Sequence, residues 1–524
     1  MTDENPQESQ PGGYDSNPPT GGLPTFEPPP PGSTYPAQPQ WSAPAAPVLR
    51  WRFRDHLTVA IIVAVVMIVV VGLGVTWIMK DGGVRTAADA TPLRPVAAQQ
   101  QHQIPASAGA NGQDLTKGAV FLDSNDRDMN TVIAFARGAD GTLHKIGTYA
   151  TGGKGSGSVE DTSNGLVVAS TQGTVSPQHD VNDPKFLIVP NLGSGTVTVF
   201  KIKPHGLQLA STTITGGLKP ISIAVSHGLV YVLQSGEVTD QFLTSATTDI
   251  ENCTTGELPT VVGFHIDDSG RLTPIQDSTR LLSGDADSGC TMVGFTPDGK
   301  FLFAAERRAG KPDPKTGFQK GDLMAFPVQE DGTLGQPTVT TPAADGVYSF
   351  VFTKDGRTML TADQNGDIGH ANGGEAESYS VNDGQVTPIE STPVPTERTD
   401  SCWVVLTNDE TLAFVSSPFG NDLTGGSIAS YRVDKGGKMT LLFPEATSDD
   451  GHSSVGNHLS LGVLDLALSK DSQYLYALDG LGGGVYGFKV NSNGTLTYVQ
   501  SLHTFNIAPL NLGGQGGPNG IAAY

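Results

Sequence analysis

Thr296-Pro297-Asp298-Gly299-Lys300-Phe301-Leu302-Phe303-Ala304 reads as a tight turn followed by a short buried strand. Pro297 and Gly299 suit the backbone angles of a turn, and the apolar run behind them is too short for an ordinary helix. Related copies stand at Thr353-Lys354-Asp355-Gly356-Arg357, at Thr407-Asn408-Asp409-Glu410-Thr411-Leu412-Ala413-Phe414-Val415 and at Ser469-Lys470-Asp471-Ser472-Gln473-Tyr474-Leu475-Tyr476-Ala477. A third strand carrying Phe or Tyr near its end recurs as Thr131-Val132-Ile133-Ala134-Phe135, Thr196-Val197-Thr198-Val199-Phe200, Thr260-Val261-Val262-Gly263-Phe264, Asp322-Leu323-Met324-Ala325-Phe326, Ala376-Glu377-Ser378-Tyr379-Ser380, Ser427-Ile428-Ala429-Ser430-Tyr431 and Gly484-Val485-Tyr486-Gly487-Phe488. About seven repeats of this size predict an all-β, seven-bladed β-propeller over residues 118–524. A solenoid would need shorter, more uniform repeats, and a sandwich has no reason to repeat one turn so often.

The ends of the repeat region predict closure. The first copy starts at Gly118 without an inner strand, while the chain finishes on a lone one, Asn519-Gly520-Ile521-Ala522-Ala523-Tyr524. That last strand is expected to complete the first blade and so pair both sheet edges.

Upstream the composition changes twice. Residues 1–49 are rich in Pro, Gly, Ser and Gln, with Pro28 to Pro31 in a row, and are expected to form a disordered cytoplasmic head. Residues 57–79 carry no charge and are dense in Val and Ile, a run long enough to cross a bilayer as one transmembrane helix. Arg50, Arg52 and Arg54 before the run outweigh Lys80 and Arg85 after it, which places the head in the cytoplasm and the propeller outside the cell. Residues 81–115 read as a flexible stalk.

With 31 Lys and Arg against 53 Asp and Glu, the chain has a formal charge of -22. This excludes a nucleic-acid partner, since phosphate binding needs clustered cations. Three cysteines are too few for a disulfide framework. Cys253, in the long insertion of one blade, and Cys290, entering the next, are expected on one face and could pair in an oxidising exterior, with Cys402 left over. Gly152-Gly153-Lys154-Gly155-Ser156 fails the phosphate-loop pattern because no helix follows, and Asp123, Asp126 and Asp128 lack the glycine and distal Glu of a calcium loop. No cofactor or metal is expected.

At Thr131-Val132-Ile133-Ala134-Phe135-Ala136-Arg137-Gly138-Ala139-Asp140-Gly141-Thr142-Leu143, and again over residues 289–306, the repeat resembles the lactonase-like propellers, which include 6-phosphogluconolactonase and carboxymuconate lactonising enzyme. The resemblance implies a seven-bladed ring and lactone hydrolysis. The family's Gly-Pro-Arg-His motif, whose Arg holds an anionic substrate and whose His moves a proton, aligns on Gly289-Cys290-Thr291-Met292 here. Its acidic residue falls on Arg307, or on Glu306 if the loop shifts by one.

Loops entering inner strands and loops joining second to third strands share one propeller face, where ligands meet the channel. Catalytic candidates there are Glu306 and Arg307, and ligand-binding candidates are Gln172, Asn191, Tyr348, Trp403 and Asp465. The leading function on sequence is a membrane-anchored lactonase-like propeller that opens lactones; the alternatives are a non-catalytic module for an envelope glycan or protein, and a scaffold tied to the Pro-rich head.

Overall fold

The computed structural model describes residues 113–157, 160, 163–176, 183–236, 258–285, 288–365, 370–420, 425–447, 459, 462–505 and 518–524. These form seven antiparallel sheets in a ring, each wound from an inner to an outer strand. Blade 1 runs Gly520–Ala523, Ala119–Asp123, Thr131–Arg137, Leu143–Ala150, so the last strand of the chain does complete the first blade, pairing Val120 with Ala523 and Asp123 with Gly520. Blade 2 runs Val167–Ala169, Phe186–Asn191, Thr196–Lys203, Gly206–Ile214, with Thr174–Ser176 added on its inner side. Blade 3 is Pro220–Ser226, Leu229–Gln234, Thr260–Ile266 and Leu272–Pro274, and blade 4 is Cys290–Phe295, Phe301–Glu306, Asp322–Pro327 and Thr338–Thr340. Blade 5 is Val347–Phe352, Thr358–Asp363, Glu375–Asn382 and Gln385–Pro388; blade 6 is Trp403–Leu406, Leu412–Ser417, Ser427–Val433 and Met439–Phe443. Blade 7 is Val463–Leu468, Tyr474–Asp479, Gly484–Val490 and Leu496–His503. Among the described residues no helix is long and apolar enough to cross a membrane. The Pro-rich head, the apolar run at 57–79 and almost all of the stalk lie outside them.

The turn that announced the fold has a side-chain cause. Thr296 donates its hydroxyl to Asp298 (2.7 Å), Thr353 to Asp355 (2.8 Å), Thr407 to Asp409 (2.7 Å) and Ser469 to Asp471 (2.6 Å). Each hydroxyl oxygen then accepts the N–H that opens the second strand, as Thr407 does from Leu412 (3.1 Å). Thr or Ser and Asp two residues apart therefore hold the turn from inside.

Alternation puts one face of every strand against the neighbouring blade, and the core is a series of such interfaces, as where Tyr231, Phe295 and Met324 meet between blades 3 and 4. Polar links between inner strands add to this. Ser222 Oγ accepts the Val293 N–H of the next blade (3.1 Å), Met292 Sδ accepts that of Phe350 (3.3 Å) and Ser349 Oγ that of Val404 (3.1 Å). In blade 7 the equivalent residue, Asp465, takes the N–H of Ile521 and that of its own neighbour Leu466 (2.9 Å). The indole of Trp403, equivalent in blade 6, has no acceptor to offer Leu466.

The chain enters the ring beneath blades 1 and 2. Leu115 donates its N–H to Pro204 O (2.8 Å) and its carbonyl accepts the Tyr524 hydroxyl. This side carries the starts of the second strands, opposite their ends at Asp123 and Glu306.

Candidate functional site

Every second strand ends on one face at an equivalent place: Asp123, Asn191, Gln234, Glu306, Asp363, Ser417 and Asp479. All seven are buried. Inner strands start on the same face because they run antiparallel to the second strands, so this is the face expected to meet a ligand.

In blade 4 the register decides which residue is which. Cys290 pairs with Glu306 and Met292 with Ala305, leaving Thr291 as a one-residue bulge. The second strand ends on Glu306, and Arg307 is the first residue beyond it. The Glu306 carboxylate is fully buried and accepts the Ser283 N–H (3.0 Å) and hydroxyl (3.1 Å). Burial pushes it up to about 7, with the Ser288 and Ser283 donors opposing the rise.

Arg307 turns the other way, into the seam with blade 5. Its guanidinium lies 5.9 Å from the centre of the Tyr348 ring and donates to Gln364 Oε1 (3.3 Å). Gln364 Nε2 in turn faces Cys402 Sγ at 3.6 Å. Gly289 has φ +59°, and a Cβ built there would fall 2.7 Å from Arg307 Cγ, so glycine is needed both for the turn and for the arginine's path. Tyr348 meets Trp403 edge to face at 5.0 Å. Glu306, Arg307, Tyr348 and Trp403 thus form one row across blades 4 to 6, and all are buried.

The other candidates lie elsewhere. Asn191 is enclosed between blades 1 and 2, where its Oδ1 accepts Thr151 (2.6 Å) and Asn130 (3.1 Å) and its amide donates to Thr196 and Thr198. Asp465 joins blade 7 to blade 1, and burial lifts it to about 8. Gln172 is exposed at the far end of its inner strand, beside His227, and is not part of the row. Cys290 is disulfide-bonded, Cys402 keeps a buried thiol, and Cys253 lies outside the described residues.

Two features were not visible in the sequence. Glu160 and Lys219 form an ion pair at 2.8 Å with both side chains almost wholly buried, and Asn164, just before blade 2, reaches Val293 O of blade 4 (2.9 Å). Beside Gln364, blade 5 gathers Asp345, Asp363, Glu375 and Glu377. Their separation in sequence hides both.

The comparisons agree with this architecture. The family model for lactonase, a seven-bladed β-propeller, matches residues 179–370. A putative 6-phosphogluconolactonase of Bacteroides uniformis is similar in fold, with TM-score 0.52 and 15% identity over 78% of this chain and 99% of that one. A periplasmic gluconolactonase of Pseudomonas aeruginosa gives 0.52 and 14% over 78% and 98%. No curated protein matches the chain. The resemblance to lactonase-like seven-bladed propellers therefore stands, in sequence across the middle blades and in fold across the whole ring.

Proposed function

We propose that this chain is a membrane-tethered, outward-facing propeller that binds an envelope glycan or protein on its channel face without opening lactones. The observation that carries this is the use made of positions 291 and 292. Thr291, aligned with the family's Arg, donates its hydroxyl to Tyr348 O of blade 5, and Met292, aligned with the His, accepts the Phe350 N–H. Both are buried and hold blade to blade. Neither can steady an anion or move a proton. The tether rests on the apolar run at 57–79 and the arginines before it, and the outward placement accords with the periplasmic relative.

Lactone hydrolysis is the second reading, favoured by one observation: burial lifts the Glu306 carboxyl to about 7, so it exchanges a proton near neutrality. The ionised form of such a carboxyl can take a proton from an attacking water.

Full-length protein in detergent, assayed on sugar and aromatic lactones and in parallel on isolated cell envelope, separates the two. Retention on envelope with no turnover is expected. Turnover that disappears in Glu306→Gln would establish the hydrolase instead. Protease added to intact cells should reach the propeller; protection until the membrane is opened would overturn the outward placement.

A further inference from the structure

The rim between blades 4 and 5 combines features that the reading above does not use. Phe318 and His370, from the two second-to-third-strand connections, stack at 6.1 Å with 18° between their planes, and both rings reach the surface. Next to them lie four carboxyls. Asp345 Oδ1 is 3.2 Å from Lys320 Nζ, while Glu377 accepts the Ala344 N–H (3.1 Å) and the Tyr379 hydroxyl. Asp363, fully buried, accepts Thr361 on Oδ2 (2.9 Å), but its Oδ1 has no partner among the described residues. Asp345 Oδ2 is buried and likewise unmatched, and Glu375, half-buried, takes no hydrogen bond among the described residues.

Buried acceptors without donors are costly, and native proteins rarely keep them without a use. Among the described residues, Lys320, shared with Asp313 (3.7 Å), and the exposed His370 are the cations that face these four carboxyls. The carboxyls respond as crowded acids do: burial and mutual repulsion raise Asp363 well above its ordinary value and Glu375 to about 7. The missing complement is a set of hydroxyl or ammonium donors next to an apolar ring face.

We propose that this rim is a saccharide subsite that takes an amino sugar, with Phe318 and His370 as the stacking platform and Glu375 as the acceptor at the surface, backed from beneath by the carboxyls of Asp345 and Asp363. It rests on the glycan reading of the channel face and narrows it. Sugar C–H faces pack on aromatic rings, and an ammonium finds compensation among the carboxylates that hydroxyls alone would leave incomplete. The same charge rejects phosphorylated sugars and sugar acids, which sets this propeller apart from an enzyme acting on a phosphogluconolactone.

Calorimetry on the full-length protein in detergent tests this with a glucosamine tetramer, a glucose tetramer, glucose 6-phosphate and Ca²⁺ as probes. The glucosamine tetramer should bind, glucose 6-phosphate should not, and Glu375→Gln and Phe318→Ala should each weaken binding about tenfold. The two variants act through different chemistry, and retained thermal midpoints guard against misfolding. Phosphosugar binding as tight as that of the amino sugar would overturn the proposal, as would unchanged binding in both variants. A response to Ca²⁺ that vanishes in Glu375→Gln, with no sugar bound, would mark a cation site instead. Envelope binding that the glucosamine tetramer does not displace sinks the subsite alone, whereas loss of envelope binding altogether sinks the reading beneath it.

Discussion

Asp465 joins the two blades between which the ring closes, and one of its oxygens takes N–H groups while the other, Oδ2, is buried without a partner. Burial lifts it from 3.8 to about 8, so across that interval the native state keeps a proton that the unfolded chain releases. Its contribution to stability is therefore full below about pH 4 and is lost as the pH rises through 8. Asp465→Asn keeps an acceptor oxygen but cannot ionise, so the variant should gain on the wild type between pH 5 and 8 and level off above. Asp465→Ala strands buried N–H groups and should cost about 1–3 kcal/mol at pH 6. Denaturant titrations across pH decide it, and parallel curves for wild type and Asn variant would refute the ionisation account. Asp465 was readable as a residue of the channel wall, but the sequence offers no sign of its partner, Ile521, which lies in the last strand of the chain.

Within a blade, the turn and the strand it launches stand or fall together. Thr407 holds Asp409 and the Leu412 N–H at once, so Thr407→Ala should lower stability by about 1 kcal/mol, and Thr407→Ser by much less. A thermal scan giving the same midpoint for Ala and wild type would show the turn to be indifferent to its hydroxyl. The same motif is why the fold was legible: turn chemistry and two-residue alternation are local, and each of the seven quoted stretches lies within an observed third strand. Bulges are not local in that sense. Thr291 leaves the pairing register in blade 4, as Tyr348 does at the equivalent place in blade 5, and no local pattern in the sequence announces either. Gln172 lies apart from the row across blades 4 to 6, since the extra strand Thr174–Ser176 turns the chain back at the far face and carries Gln172 with it.

Across the whole ring, closure depends on Gly520–Ala523, where Ile521, Ala522 and Ala523 are fully buried, and on Tyr524 behind them. Removing residues 520–524 exposes the inner edge of blade 1 and forfeits about 4 kcal/mol or more of apolar burial from Ile521 and Tyr524 alone. A fall of roughly 5 °C or more in the thermal midpoint is expected, and a truncated protein as stable as the intact one would mean that the ring does not need its final strand.

The place where the chain joins this ring also fixes how the domain can be presented. Leu115 enters under blades 1 and 2, at the strand ends remote from Glu306, Arg307 and Gln364. A sensor chip or bead coupled through a tag ahead of residue 113 therefore leaves the mouth of the ring turned to the solution, ready to report on soluble sugars. Coupling through Lys320 would instead glue that mouth to the support.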